Sequence, residues 1–212
     1  MSHKDMRMLN RITFAPIRIG VLGAAALALS GCVSFGTELP TSLLTLNSTA
    51  SAPAGSGAQA GGEGGSAAIA VLTPETPAKL DVVRVPVTVS ATEIAYLQDA
   101  VWVEKPARLF RRLLGETLRT RSPALIVDSD DTPTLAGKTV RGTLLDMGYD
   151  ASSSSVVIRY EAIVADADGK ATSRRFEAIE SGVLPEAGSV GPALNRVANT
   201  VAVEVADWVA GG

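Results

Sequence analysis

The chain has 212 residues and a formal net charge of −3, with 46% hydrophobic residues, one cysteine and one histidine. A length near 200 residues predicts one folded domain, with or without flexible segments. A single thiol excludes an intramolecular disulfide and any cysteine-based zinc or iron–sulfur site.

Residues 1–31 have the pattern of a bacterial signal peptide. Basic residues precede the apolar run Ile19–Leu29, which is too short to cross a bilayer. The run ends in Leu29, Ser30, Gly31 and Cys32, a tetrapeptide that resembles the lipobox of bacterial lipoproteins. The thiol of such a cysteine receives a diacylglyceryl group, and its amino group receives an acyl chain such as palmitate. We therefore predict that Cys32 is the lipidation site and that the protein is anchored to a membrane.

Cleavage before Cys32 changes the charge and the chemistry of the mature chain. It removes four of the 19 basic residues, one of the 22 acidic residues and the only histidine, and it leaves a net charge of −6. Several apolar chains on one residue suffice for stable attachment. Val33, rather than an aspartate, follows the cysteine. In the sorting rule of enteric bacteria this favours the periplasmic face of the outer membrane over retention at the inner membrane.

The rest of the chain divides by composition. Residues 32–42 are a lipidated tether, and residues 43–46 are predicted to form a short first strand. Residues 47–79 are dominated by Ala, Gly, Ser, Pro and Thr. This composition buries too little apolar area to offset the entropy of ordering the chain, so we interpret the segment as a flexible linker or loop. Residues 80–212 are predicted to form the folded domain.

Within this domain, hydrophobic periodicity predicts strands and two amphipathic helices. Pro106 opens the first helix, which ends at Ser122-Pro123, and Gly191-Pro192 opens the second, which the final glycines end. The predicted fold class is α/β (α+β), with a mixed, mostly antiparallel sheet. The strands are predicted at 82–89, with Pro86 at an edge or a bulge, at 95–104 as two short extended pieces, at 124–127 inside the sheet, at 139–149, at 156–165 and at 172–181.

The sequence offers no convincing catalytic or metal site. Asp128–Asp131 has the spacing of acidic ligands, but a calcium loop needs a glycine where Pro133 stands and a glutamate where Thr139 stands. No Gly-x-Ser-x-Gly elbow occurs, and the mature chain retains no histidine base. We expect no metal, no cofactor and no enzymatic activity.

The first helix has an arginine-rich side in an otherwise acidic protein. Its arginines lie away from the leucines, and they form either an ordinary solvated face, partly balanced by Glu116, or a docking surface for an acidic partner or anionic lipid. The acidic net charge and the compartment exclude nucleic acid. Trp102 and Trp208 are interpreted as core residues, with ligand contact as the alternative. The residues that we nonetheless predict to contact a partner are Tyr96, Trp102, Arg108, Arg111, Arg112 and Arg119.

The segment Tyr96–Leu114 resembles the ABC-type transport auxiliary lipoprotein family, which includes the lipoprotein of the Pqi lipid-transport system. The likeness extends to the lipobox, the Val-Arg-Val-Pro-Val strand, the hairpins and the Ala-rich last helix. Two departures are a first strand without its frequent Tyr and a long Gly-rich linker. The resemblance implies a non-catalytic component of a Mce-type intermembrane lipid-transport system. There an inner-membrane permease and ATPase drive transport, and the lipoprotein docks the Mce protein at the outer membrane.

Other functions remain compatible with the sequence. One is a periplasmic lipoprotein that itself binds lipid or another small ligand, and another is a lipoprotein of outer-membrane biogenesis. Self-association into a homo-oligomer is compatible with each of them. A large apolar cavity favours ligand binding, whereas a filled core with an exposed contact surface favours docking.

Overall fold

The computed structural model describes residues 42–61, 67–130 and 136–211. The signal peptide, the lipobox Leu29–Cys32 and most of the tether lie outside these residues. The described elements, in chain order, are β1 (Ala68–Val71), a short 3₁₀ helix (Ala78–Leu80), β2 (Arg84–Ser90), β3 (Glu93–Val101), α1 (Pro106–Arg121), β4 (Ile126–Val127), β5 (Ala136–Asp150), β6 (Ser155–Asp166), β7 (Ala171–Ser181) and α2 (Ala187–Gly211).

One mixed sheet of seven strands organises the domain, and the long strand β5 lies at its centre. Along one edge, β5 pairs in parallel first with β1 and then with β2. Along the other edge it pairs antiparallel with β6, and β6 pairs antiparallel with β7. β3 continues the sheet beyond β2, and β4 continues it beyond β1. The antiparallel ladders are the longest, which confirms the predicted mixed, mostly antiparallel α/β sheet.

Both helices pack on the same face of the sheet. Tyr160 of β6 and Phe176 of β7 are directly paired in the ladder, so their side chains share one face. Phe110 of α1 meets Tyr160 edge-on with 5.0 Å between ring centroids, and Trp208 of α2 lies 5.7 Å from Phe176. The predicted stripe of α2 is buried in this layer, apart from the half-buried Trp208. Apolar burial between helices and sheet therefore forms the core.

The opposite face of the sheet carries charged residues in cross-strand pairs. Arg159 of β6 contacts Glu177 of β7, and Arg175 of β7 lies 2.6 Å from Glu161 of β6. Directly opposed charges of unlike sign stabilise neighbouring strands modestly. The fold is thus a two-layer arrangement with one packed and one solvated sheet face.

Strand β1 lies within the segment interpreted as a flexible linker, so that interpretation is wrong for residues 68–71. All four residues of β1 are buried between the parallel neighbours β4 and β5. Strands covered on both faces are short and continuously apolar, as Ala-Ile-Ala-Val is. The residues on both sides of Ala68–Val71 are rich in Gly and Pro, so the composition of residues 47–79 as a whole did not indicate this short strand.

Residues 43–46 form a single bridge instead of a strand, and the residues after them are held against the helices. Leu44 pairs in parallel with Trp102. Further along, the backbone at Asn47 and Thr49 bonds to side chains of α2, and the Ala52 N–H donates to Glu116 of α1 at 2.8 Å. Residues 43–52 are called the strap below. The linker interpretation is therefore also wrong for residues 47–52.

Strand β3 contains a large bulge. Tyr96 pairs with Pro86 and Val101 pairs with Arg84, so four residues of β3 lie opposite one residue of β2. Asp99 in this bulge has a positive φ of 56°. Bulges increase local twist and interrupt pairing, which explains why residues 95–104 read as two short pieces. The predicted irregularity at Pro86 is confirmed, and a Cβ at Gly148 would lie 2.4 Å from the Pro86 carbonyl oxygen, so β2 can approach β5 only at a glycine.

Two sequence expectations about element positions are wrong. Helix α2 begins at Ala187, and Pro192 lies inside it. Pro192 has no N–H, so the carbonyl of Gly188, four residues earlier, lacks its helical hydrogen bond. Gly188 is exposed, and water can donate to this carbonyl instead. β4 is an edge strand that pairs with β1 alone, although Ile126 is buried. The apolar side chain is covered by the helix layer and not by a second neighbouring strand.

Candidate docking surfaces

Helix α1 presents arginines on the side away from its buried apolar residues. Pro106 occupies the first helical position, where a missing N–H has no cost, and the apolar stripe that follows is buried. Amphipathic periodicity of this kind leaves the opposite side of the helix to solvent. That side carries Arg108, Arg112, Arg119 and Arg121, and Arg111 lies at its border with a side chain that is only 14% exposed.

Most of these guanidinium groups have a carboxylate partner within the protein, which reduces the basic character of the face. Exposed pairs contribute little to stability, but they do compensate charge. Arg108 is exposed and forms no ion pair with a carboxylate of the described part of the chain. The pairs of the others are Arg111 with Asp130 at 3.3 Å, Arg112 with Glu104, Arg119 with Glu116 at 3.2 Å and with Asp128 at 3.5 Å, and Arg121 with Asp207 at 2.5 Å.

The acidic residues after β4 act as partners of this helix. The Thr73 N–H donates to Asp130 Oδ1 at 3.1 Å. Hydrogen bonds from Thr73, supported by the charges of Arg111 and Arg108, lower the pKa of Asp130 below its ordinary value of 3.8. Asp128 contacts Arg119. Both carboxylates are thus engaged with residues of the domain.

Because the fold lowers the pKa of Asp130, we expect the free energy of unfolding to decrease at acidic pH. A carboxyl group whose pKa is lower in the folded state stabilises the fold above its unfolded pKa, and this contribution is lost as the pH falls through the folded value. The urea midpoint should be flat above about pH 5 and should fall towards pH 3. The urea midpoint of the Asp130→Asn variant should be lower than that of the wild type at about pH 5, and it should fall less between about pH 5 and pH 3. Equal acid-dependent losses in both proteins would contradict this role.

The two aromatic residues predicted to contact a partner have different environments. Trp102 is 1% exposed and belongs to the core, so the prediction that it contacts a partner is wrong for this conformation. Its backbone N–H donates to the Val83 carbonyl at 2.8 Å, which places it at the junction of β2, β3 and the strap. Tyr96 is half-buried, and the guanidinium carbon of Arg84 lies 4.6 Å above its ring. Tyr96 therefore keeps a surface through which it can contact a partner.

The sheet has an exposed end that was not predicted as a contact surface from the sequence. All residues from Val89 to Ala95, at the turn between β2 and β3, are exposed. Beside this turn lie the β5–β6 turn (151–154) and the segment after β7 (182–186), joined by Ala151 N to Thr88 O at 3.0 Å and Val183 N to Ser154 O at 3.0 Å. These three segments are called the sheet end. The signal for it in the sequence is the pair of apolar residues that flank the Ser-Ala-Thr turn.

Large side chains occupy the core, and the clefts formed by the described residues open to the surface. Trp102, Tyr160 and Phe110 are the largest of the fully buried side chains. A cleft of about 390 Å³ lies between the 52–58 loop and the chain after α1, and its walls include the exposed Ser56 and Gly57. Another, of about 270 Å³, lies between Lys138, Lys170 and Trp208. Neither is the deep apolar cavity expected of a lipid carrier.

No helix within residues 42–61, 67–130 and 136–211 combines the length and apolar character that a membrane crossing requires. The same residues contain no group of three or more potential metal ligands.

Solved structures share the fold at low sequence identity. Protein XCC0632 from Xanthomonas campestris is 15% identical, with a TM-score of 0.64 and coverage of 80% of this chain and 94% of that protein. A second crystal structure, of a protein described as uncharacterized, is 14% identical with a TM-score of 0.59 and covers 67% of this chain and 92% of its own. Among curated proteins, none matches significantly.

The sequence model of one family matches the chain over residues 45–206, which includes most of the strap, the whole sheet and most of α2. This match covers most of the chain and agrees with the resemblance seen at Tyr96–Leu114. The chain belongs to the family of ABC-type transport auxiliary lipoprotein components.

Proposed function

We propose that this auxiliary lipoprotein is a non-catalytic docking component of a Mce-type lipid-transport system. Lipidated at Cys32 and held at the periplasmic face of the outer membrane, it would bind the outer end of a Mce-type protein. The inner-membrane permease and ATPase would supply the energy. Val33 after the modified cysteine favours the outer membrane.

The surface position of the clefts is the observation that supports docking over carriage. Three of those that the described residues form have volumes of about 390, 340 and 270 Å³ and open to the surface. Ligand sites are usually concave and bury most of the ligand, in volumes of about 300–1,000 Å³. An acyl chain in any of these clefts would stay exposed to water along the open walls. Contact through the surface is therefore the function that this geometry supports best.

The arginine side of α1 is the partner surface that we propose, and Arg108 is the residue to test. Replacing Arg111, Arg112 or Arg119 would break an internal ion pair, so a loss of partner binding could not be separated from a loss of stability. Arg108 has no such pair among the described residues. Its charge is therefore available to an acidic surface on the Mce protein.

We expect Arg108→Glu to weaken binding of the Mce-type protein of the same organism about tenfold. The loss of stability should be only small, because Arg108 acts on Asp130 through charge and not through an ion pair. The measurement is retention of that protein on vesicles that carry the lipidated chain. Arg141→Glu is the matched control, because Arg141 is also exposed and forms no ion pair with the described residues, but it lies on β5. Equal retention by wild type and Arg108→Glu would show that this face is not the docking surface.

A further inference from the structure

The strap has a defined direction where it meets β3. Leu44 N donates to Val101 O at 2.7 Å, and Val103 N donates to Leu44 O at 2.9 Å. Because this bridge is parallel, residues 43–45 run in the direction of β3, away from the β2–β3 turn. At this bridge the strap therefore runs away from the sheet end.

The maximum reach of the tether follows from its number of residues. Arg84 pairs with Val101 beside the strap, and Ser90 closes the turn six residues later. Six strand residues span about 20 Å. The ten residues 33–42 reach at most about 35 Å. The maximum length of these ten residues therefore exceeds the distance from the strap bridge to the sheet end.

The sheet end is apolar and carries little charge. Val89, Ile94 and Leu184 are 41%, 42% and 60% exposed. Its three segments, 89–95, 151–154 and 182–186, contain two glutamates and no lysine or arginine, and their other residues are apolar or small and polar. The opposite end of the domain carries more charge, since Lys138, Lys170 and the Arg121–Asp207 pair lie there, although the exposed apolar residues Leu43, Val83 and Val103 lie in or beside the strap.

We propose that the sheet end rests on the membrane surface, with Val89, Ile94 and Leu184 in the headgroup region of a zwitterionic bilayer. Exposed apolar side chains next to a lipid anchor gain from burial at the interface. The sheet end contains no lysine or arginine, and the charge of Arg196 beside Leu184 is compensated by Glu180, so phosphatidylethanolamine or phosphatidylcholine is the matching surface. The charged end of the domain then points into the periplasm. This orientation rests on the lipid anchor and is independent of the Mce partner.

Single-site fluorescence in vesicles tests this orientation on the full lipidated protein. The thiol of Cys32 is consumed by the anchor, so Ile94→Cys or Leu184→Cys supplies the one thiol for a polarity-sensitive label. Ala171→Cys is the control, because it is exposed but lies ten residues away from Ser181 along β7, or about 33 Å. The vesicles are phosphatidylcholine, with and without a shallow spin-labelled quencher lipid.

We expect the emission of labels at positions 94 and 184 to shift to the blue when vesicles are added. The quencher lipid should reduce this emission about threefold, and it should hardly affect a label at position 171. Equal quenching at all three sites would overturn the proposal. So would a blue shift at 94 that appears without vesicles and rises with protein concentration, because a second copy would then cover the sheet end. A shift that appears only after addition of the Mce protein would assign the surface to that partner.

Discussion

Replacement of Trp102 by alanine is expected to lower the free energy of unfolding by about 3–5 kcal/mol. The side chain is 1% exposed in the core, the Trp102 N–H donates to the Val83 carbonyl, and the neighbouring Val101 and Val103 bond to Leu44 of the strap. Truncation removes the transfer free energy of a large aromatic group and leaves a cavity that the surrounding strands cannot close. Urea unfolding followed by circular dichroism measures the loss.

Two further variants make this result specific. Trp102 Nε1 is buried without a hydrogen-bond partner among the described residues, so Trp102→Phe should cost much less than alanine because it removes an unsatisfied donor. Val103→Ala changes the adjacent but exposed residue and should shift stability by less than about 0.5 kcal/mol. If Trp102→Ala left stability intact and abolished binding of the Mce protein, Trp102 would be a contact residue after all.

Asn199→Ala is expected to cost about 2–3 kcal/mol and to loosen the strap. The Asn199 side chain is 6% exposed and uses all of its hydrogen-bonding groups. Its Oδ1 accepts bonds from Thr49 N at 2.8 Å and Thr49 Oγ1 at 3.0 Å. Its Nδ2 donates to the carbonyls of Asn47 at 2.9 Å and Asn195 at 2.8 Å. Alanine leaves these partly buried groups of the strap without partners.

Hydrogen exchange separates loosening of the strap from general destabilisation. The Thr49 amide should exchange much faster in Asn199→Ala, while amides in the β5–β6 ladder should change only by the global loss of stability. Asn195→Ala is the control, because Asn195 accepts a single bond from the exposed Asn47 N–H at 2.8 Å and should cost about 0.5–1 kcal/mol. Unchanged protection at Thr49 in Asn199→Ala would mean that the strap is held by other contacts.

Local sequence signals were sufficient where an element carries its own periodicity. Helix α1 starts at Pro106 and ends before Ser122 as predicted, because its start, stop and apolar stripe are all encoded within 16 residues. The β5–β6–β7 meander was predictable for the same reason, since its alternating strands are joined by short polar turns. Gly169, with φ of 83°, supplies the conformation expected of the Asp-Gly turn.

Features that depend on distant partners were not predictable in this way. Strand β1 is four small apolar residues whose stability comes from β5, nearly 70 residues later in the chain. The arginine side of α1 appeared basic because its partners Asp130 and Asp207 are separated from it in sequence. Trp102 belongs to the core of the assembled fold, next to the strap residue Leu44 that pairs with it. Charge compensation and burial are properties of the assembled fold, and composition alone does not report them.

We propose that this lipoprotein works by holding another protein and not by carrying lipid itself. Co-sedimentation of the soluble periplasmic part of the Mce-type protein with phosphatidylethanolamine vesicles that carry the lipidated chain tests this proposal. Docking predicts saturable binding in proportion to the amount of lipoprotein in the vesicles, and little binding to bare vesicles. Equal binding to bare and lipoprotein-loaded vesicles would contradict docking.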